Sequence, residues 1–132
     1  MIEQHQLFLA KAEQSLEGAE SEFGNRRCNN VANRAYYACF QAAIFALIQA
    51  GAASSRREQW GHEFVQSQFV LQLINRRKVY PAELRDALAR NLELRQRGDY
   101  DMVAVSPIQA SRALQRADAF LNAIRREGAG TI

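Results

Sequence analysis

Between Ala35 and Ile48 the chain reads AYYACFQAAIFALI, and Gln41 is its only strongly polar position. A helix that is apolar on nearly every side has to be enclosed by other elements. The uninterrupted run is shorter than the ~18–20 residues that cross a bilayer, and it holds Gln41 and two tyrosines. The pattern predicts the central helix of a bundle, Val31 to Gln49 and ending at Gly51, and no membrane span.

The flanking segments carry one-sided patterns. Leu9, Ala12, Leu16, Ala19 and Phe23 recur in steps of three and four, which predicts a first helix over Ile2–Phe23 stopped by Gly24-Asn25. Ala52 to Gln59 is a polar loop. A third helix starts between Trp60 and Glu63, carries Phe64, Val65, Phe69, Leu71, Leu73 and Ile74, and breaks at Asn75 to Lys78. Tyr80-Pro81 opens a fourth helix, with proline suited to the first turn. Its buried face is Leu84, Ala87, Leu88 and Leu92, and Gly98 ends it. Ser106-Pro107-Ile108-Gln109 has the serine, proline and glutamine of a capping box and starts a fifth helix, with a frayed tail at 128–132. No stretch alternates as a strand does. The fold expected is therefore all-α, one antiparallel bundle of about five helices over 1–132.

Composition narrows the class. At 132 residues, 48% hydrophobic and 23% charged, the chain suits one folded domain. Cys28 and Cys39 form neither a disulfide framework nor a CxxC pair, and Cys39 reads as a small core residue. The opening residues lack a basic stretch followed by an apolar one, so a signal peptide is not expected and a cytoplasmic location is. P-loop, GxGxxG, GxSxG, HExxH and paired-cysteine patterns are absent, which argues against P-loop nucleotide hydrolysis and zinc chemistry. No metal or cofactor is expected.

Of the 17 basic residues only Lys11 and Lys78 are lysine. Guanidinium forks suit phosphates and carboxylates. Arg76-Arg77 and Arg125-Arg126 read as helix C-terminal charges that offset the macrodipole. Arg26-Arg27 falls near the start of the central helix, where positive charge is unfavourable, and is a candidate anion site. Asn91 and Arg95 share a helical face at i, i+4. Arg95, with Asp99 and Tyr100 folding back over it, reads either as a phosphate site or as an Arg–Asp clamp fixing a turn. His62 is placed either as an acid or base near neutral pH or as a helix-start residue bonded to backbone. His5 reads as a solvated side chain.

Several stretches together resemble the small stand-alone HEPN domains of prokaryotes. They are Arg34-Ala35-Tyr36-Tyr37-Ala38-Cys39-Phe40, then His62, Tyr80-Pro81-Ala82-Glu83-Leu84, and Leu94-Arg95-Gln96-Arg97-Gly98-Asp99-Tyr100, in matching order over nearly the whole chain. The resemblance implies a homodimer, a minimal nucleotidyltransferase partner in a toxin–antitoxin or related module, and RNA or nucleotide as ligand, bound by Arg95 with help from Arg34 and His62. Many such proteins are metal-independent ribonucleases with an R-x4–6-H motif, in which arginine stabilises the phosphorane and histidine handles protons. Here the four residues after Arg95 lead to Tyr100, followed by Asp101 and Met102, and tyrosine is a poor base at neutral pH. Arg57 to His62 fits R-x4-H formally, but in a loop. In related pairs the transferase attaches AMP to a tyrosine near the motif, which makes Tyr100 the modification candidate. The competing readings are a non-catalytic recognition subunit and a structural helical adaptor.

Overall fold

The computed structural model describes residues 5–100 and 104–130. Helix α1 (Gln6–Gly24) and helix α2 (Cys28–Gln49) form an antiparallel pair joined by a tight turn. The pairing is closed at both ends: Asn30 donates to Glu22 at 2.7 Å beside the turn, and His5 Nε2 meets Gln49 Oε1 at 2.6 Å at the other end. Every residue from Ala42 to Leu47 is buried, because α1, α4 and α5 all pack on α2. By length and composition α2 would pass for a membrane span, yet most of its apolar window is covered by the rest of the chain. The small residues Ala35, Ala38, Cys39, Ala42, Ala43 and Ala46 let those neighbours approach.

Helix α3 (His62–Gln68) continues into a π-helical stretch, Phe69–Arg76. The wider i→i+5 turn was not foreseen from the periodicity. It keeps Phe69, Leu73 and Ile74 in the core and leaves Leu71 outside at 47% exposure. The chain then reverses through Lys78, whose φ of 51° is left-handed. Pro81 does not open a long helix. It precedes one 3₁₀ turn, Ala82–Leu84, and α4 spans Ala87–Tyr100.

Gly98 does not end α4. It lies inside the helix where Val105 and Asn29 come close, and a Cβ there would sit 3.1 Å from Val105 Cγ2. Helix α5 (Pro107–Gly130) begins as its sequence predicts: Gln109 N–H donates to Ser106 Oγ at 3.1 Å, and Ser106 N–H to Gln109 Oε1 at 2.9 Å. It runs through Gly128, past the expected start of fraying. The N-terminal expectation also shifts. α1 starts at Gln6, with Ile2 outside the described residues, and Phe23 is 38% exposed, so it does not complete the buried stripe. His5 is buried and stacks on Phe45 at 5.4 Å, so it is not the solvated side chain its position suggested. Arg125 turns toward α1, where its Nε meets Glu13 at 3.2 Å.

Candidate phosphate-binding site

Tyr36 lies near the middle of α2 and is 2% exposed. The polar loop after α2 brings the chain back along the bundle, so that His62, at the first turn of α3, meets this tyrosine. The rings of Tyr37, Phe40 and His62 surround the phenol at centroid distances of 5.4, 5.6 and 5.3 Å. From α4, the guanidinium of Arg95 stands 5.0 Å from the Tyr37 ring centroid and 5.8 Å from that of Tyr36. Such stacked cations are held by the negative ring faces. Three helices thus contribute to one cationic, aromatic surface.

Protonation follows from the surroundings. Burial, reinforced by Tyr37, raises the Tyr36 pKa well above that of a free phenol, so the hydroxyl keeps its proton. His62 Nδ1 is the only hydrogen-bond partner of that hydroxyl among the described residues. Donation from Tyr36 to Nδ1 satisfies the buried O–H and puts the imidazole proton on Nε2. Desolvation, and next the charge of Arg95, lower the His62 pKa from its ordinary value, so the ring is neutral at pH 7.

Arg95 Nε is buried and has no hydrogen-bond partner among the described residues. The Asp99 carboxylate comes to 3.4 Å, an ion-pair contact whose geometry falls short of a hydrogen bond. Both readings of the Arg95 turn therefore find a basis. The Arg–Asp pair is present, and it leaves a donor unsatisfied. Buried N–H groups are nearly always bonded, and the acceptor that stands beside this one is the Asp99 carboxylate. With Tyr36 donating to Nδ1, His62 keeps an Nε2–H donor within the field of the Arg95 guanidinium, a combination that suits an anion.

The other expected site residues are dispersed. Asn91 is fully buried and cannot reach a ligand; its amide nitrogen lies 3.3 Å from the Ala113 carbonyl and 3.6 Å from Cys39 Sγ, and its oxygen accepts from Arg116 Nε at 2.8 Å. The i, i+4 spacing does not make a shared site, because Asn91 is spent inside the core between α2 and α5 while the Arg95 guanidinium lies over the tyrosine rings. Arg34 lies with Lys11 and Gln41 in a separate groove between α1 and α2, its stem packed over Gly18. Arg26 and Arg27 occupy the α1–α2 turn: Arg26 has a left-handed φ of 61°, and Arg27 pairs with Glu22 at 3.5 Å. Arg57 stacks on Phe64, 3.7 Å from its centroid. Tyr100 closes α4, and its side chain, like Asp101, lies outside the described residues. Tyr36 and Tyr37 were both missed as site residues, although they stand in the Arg34–Phe40 stretch that carries the resemblance. Among the described residues no group of three or more His, Cys, Asp or Glu side chains gathers as metal ligands would.

Fold and site together define an all-helical domain with a cation and an imidazole set against a buried tyrosine. The family model described as HEPN domain matches residues 5–127. The chain belongs to the HEPN family. Among curated proteins, none matches it.

Proposed function

We propose that this protein is the HEPN component of a toxin–antitoxin or nucleotidyltransferase-linked module, working as a cytoplasmic homodimer and engaging a phosphate of RNA or nucleotide through Arg95 and His62. The observation that carries the reading is the convergence of Arg95 from α4 and His62 from α3 on Tyr36. The Arg95 side chain remains 19% exposed, so an anionic ligand would meet its guanidinium there. His62 thus supplies in space the imidazole that the residues after Arg95 do not supply in sequence.

As a metal-independent endoribonuclease, the site would use Arg95 to hold the phosphate and neutralise charge as the 2′-oxygen attacks phosphorus and the 5′-oxygen departs. His62 would take the 2′-hydroxyl proton only with its proton moved to Nδ1 and the Nε2 lone pair facing out. Tyr36 donation to Nδ1 favours the opposite tautomer. That bond supports the second reading, a non-catalytic RNA- or nucleotide-binding subunit beside a nucleotidyltransferase.

The test is incubation of mixed RNA with purified protein in EDTA, beside Arg95→Ala and His62→Ala. Cleavage lost in both variants establishes the nuclease. Arg95-dependent RNA retention without cleavage establishes the binding subunit. RNA neither bound nor cut by the folded protein overturns the proposal. AMP found on Tyr100 by mass spectrometry after co-expression with a partner transferase would tie the chain to such a module, and its absence would remove Tyr100 as the modified residue.

A further inference from the structure

The face of α4 opposite Arg95 carries a second concentration of arginine. Arg90 and Arg97 on α4, with Arg112 and Arg116 on α5, line a groove of about 420 Å³, where Glu93 is the one acidic lining residue among the described residues. Glu93 reaches Arg97 at 4.0 Å, which leaves Arg90, Arg112 and Arg116 as the other guanidiniums of the groove. The floor is built from within. Asn91, fully buried, fixes Arg116 through a 2.8 Å bond to its Nε. Burial, then the charges of Arg90 and Arg112, lower the Arg116 pKa, which reports like charges crowded into a partly desolvated site. Crowding of this kind opposes folding, and an anion in the groove would relieve it.

We infer that this α4–α5 groove binds a chain of linked phosphates, supplied either by an oligonucleotide backbone or by a free polyphosphate. Arg90 and Arg97 are two helical turns apart, ~10.5 Å along the axis, and Arg112 and Arg116 ~6 Å. Linked phosphates match that spacing with the four side chains extended, whereas a single phosphate would need all four like charges to converge on one point. Guanidinium forks accept phosphate oxygens in pairs. An acidic peptide fits less well, because among the lining residues only Leu94 offers an apolar anchor. The groove stands independently of the Arg95 site, which lies across the helix.

The test compares Arg90→Gln/Arg112→Gln with Arg56→Gln/Arg126→Gln, a charge-matched control outside the groove. Probes are a 12-nucleotide single-stranded RNA, tripolyphosphate and an oligo-glutamate peptide, with affinities measured by fluorescence anisotropy and calorimetry. The groove variant should bind RNA at least 10-fold more weakly than the control. Its log K against log[salt] slope should be shallower by ~1.4, from ~0.7 per lost phosphate contact on single strands. Parallel loss of tripolyphosphate binding identifies phosphate alone as sufficient. RNA loss without tripolyphosphate binding identifies the polynucleotide as the source. Equal affinities in the two variants, or oligo-glutamate bound while both phosphate probes are not, overturns the inference. Arg95→Gln separates this site from the one proposed above: if it alone abolishes RNA binding, the Arg95 reading survives and the groove does not. Denaturation curves of both double variants confirm folding, and the groove variant should melt no lower than the control.

Discussion

Tyr36 and His62 are hydrogen-bonded across 26 positions of sequence, phenol to imidazole Nδ1, with the Arg95 guanidinium over the phenol ring. This arrangement ties the state of the imidazole to a charge on another helix. Arg95 lowers the His62 pKa, so removing that charge should raise it toward the ordinary value near 6.5. Titration of the His62 ring proton by NMR in Arg95→Gln should show an upward shift relative to the native protein. An unchanged midpoint would mean that the guanidinium does not act on the ring.

The same shift makes stability depend on pH. With the folded-state pKa below the unfolded value, both states are neutral above about pH 6.5 and His62 adds no pH dependence there. As pH falls, the unfolded chain takes up the proton first, so stability is lost from about pH 6.5 down through the folded-state pKa. The melting temperature of the native protein should therefore fall faster than that of His62→Gln between pH 7.5 and 5. Parallel curves would remove His62 as the source.

Asn91 is a bracket between helices rather than a ligand contact. Truncation to alanine removes the partner of Arg116 Nε and the amide beside Cys39 and Ala113, and leaves a cavity at a fully buried position. Unmet buried polar groups and lost packing together predict a loss of about 2–3 kcal/mol. Urea denaturation of Asn91→Ala measures it. A change under about 0.5 kcal/mol, within the range of ordinary surface substitutions, would show that the bracket is unimportant.

The central helix was legible because burial on every side leaves an unbroken apolar run, and the α5 start because its capping box is local. The α4 start was misread, since proline at 81 suits a helix start but here serves a single 3₁₀ turn. Gly98 looked like a stop because its reason is tertiary, the approach of Val105. The pairing of His62 with Tyr36 depends on the path of a polar loop that has no periodicity to read. Asn91 and Arg95 share a face by spacing, yet Asn91 is bonded within the core between α2 and α5 while Arg95 lies over the rings of Tyr36 and Tyr37. The α4–α5 arginines were in plain view as i, i+7 and i, i+4 pairs. Their meaning required knowing which helices are neighbours.

The two cysteines should differ sharply in reactivity. Cys39 is fully buried, and burial pushes its thiol pKa up to about 12, so almost no thiolate forms at pH 8. Cys28, at the start of α2, is half-buried. Ellman's reagent should titrate Cys28 alone in the native protein and both thiols in guanidinium chloride. Rapid native labelling of Cys39 would place it outside the core.

Two helical glycines should respond to alanine in opposite ways. Alanine in a helix interior is worth roughly 1 kcal/mol over glycine when nothing obstructs the methyl group. At Gly18 a Cβ would meet only the Arg34 side chain at 3.8 Å, an ordinary contact with an exposed, flexible residue. Gly18→Ala should therefore stabilise the protein by about 0.5–1 kcal/mol. At Gly98 the same atom would come within 3.1 Å of Val105 and 3.5 Å of the Asn29 side chain. Neither neighbour is free to yield: Val105 is 3% exposed, and its N–H is held by Asn29 Oδ1 at 2.9 Å, the bond that fixes the entry to α5. Overpacking of this kind costs about 1–3 kcal/mol, enough to cancel or exceed the gain in helix propensity. Gly98→Ala should thus melt at or below the native temperature while Gly18→Ala melts above it. Equal stabilisation by both would show that Val105 and Asn29 can move aside, and that the close approach between α4 and the start of α5 does not constrain the chain.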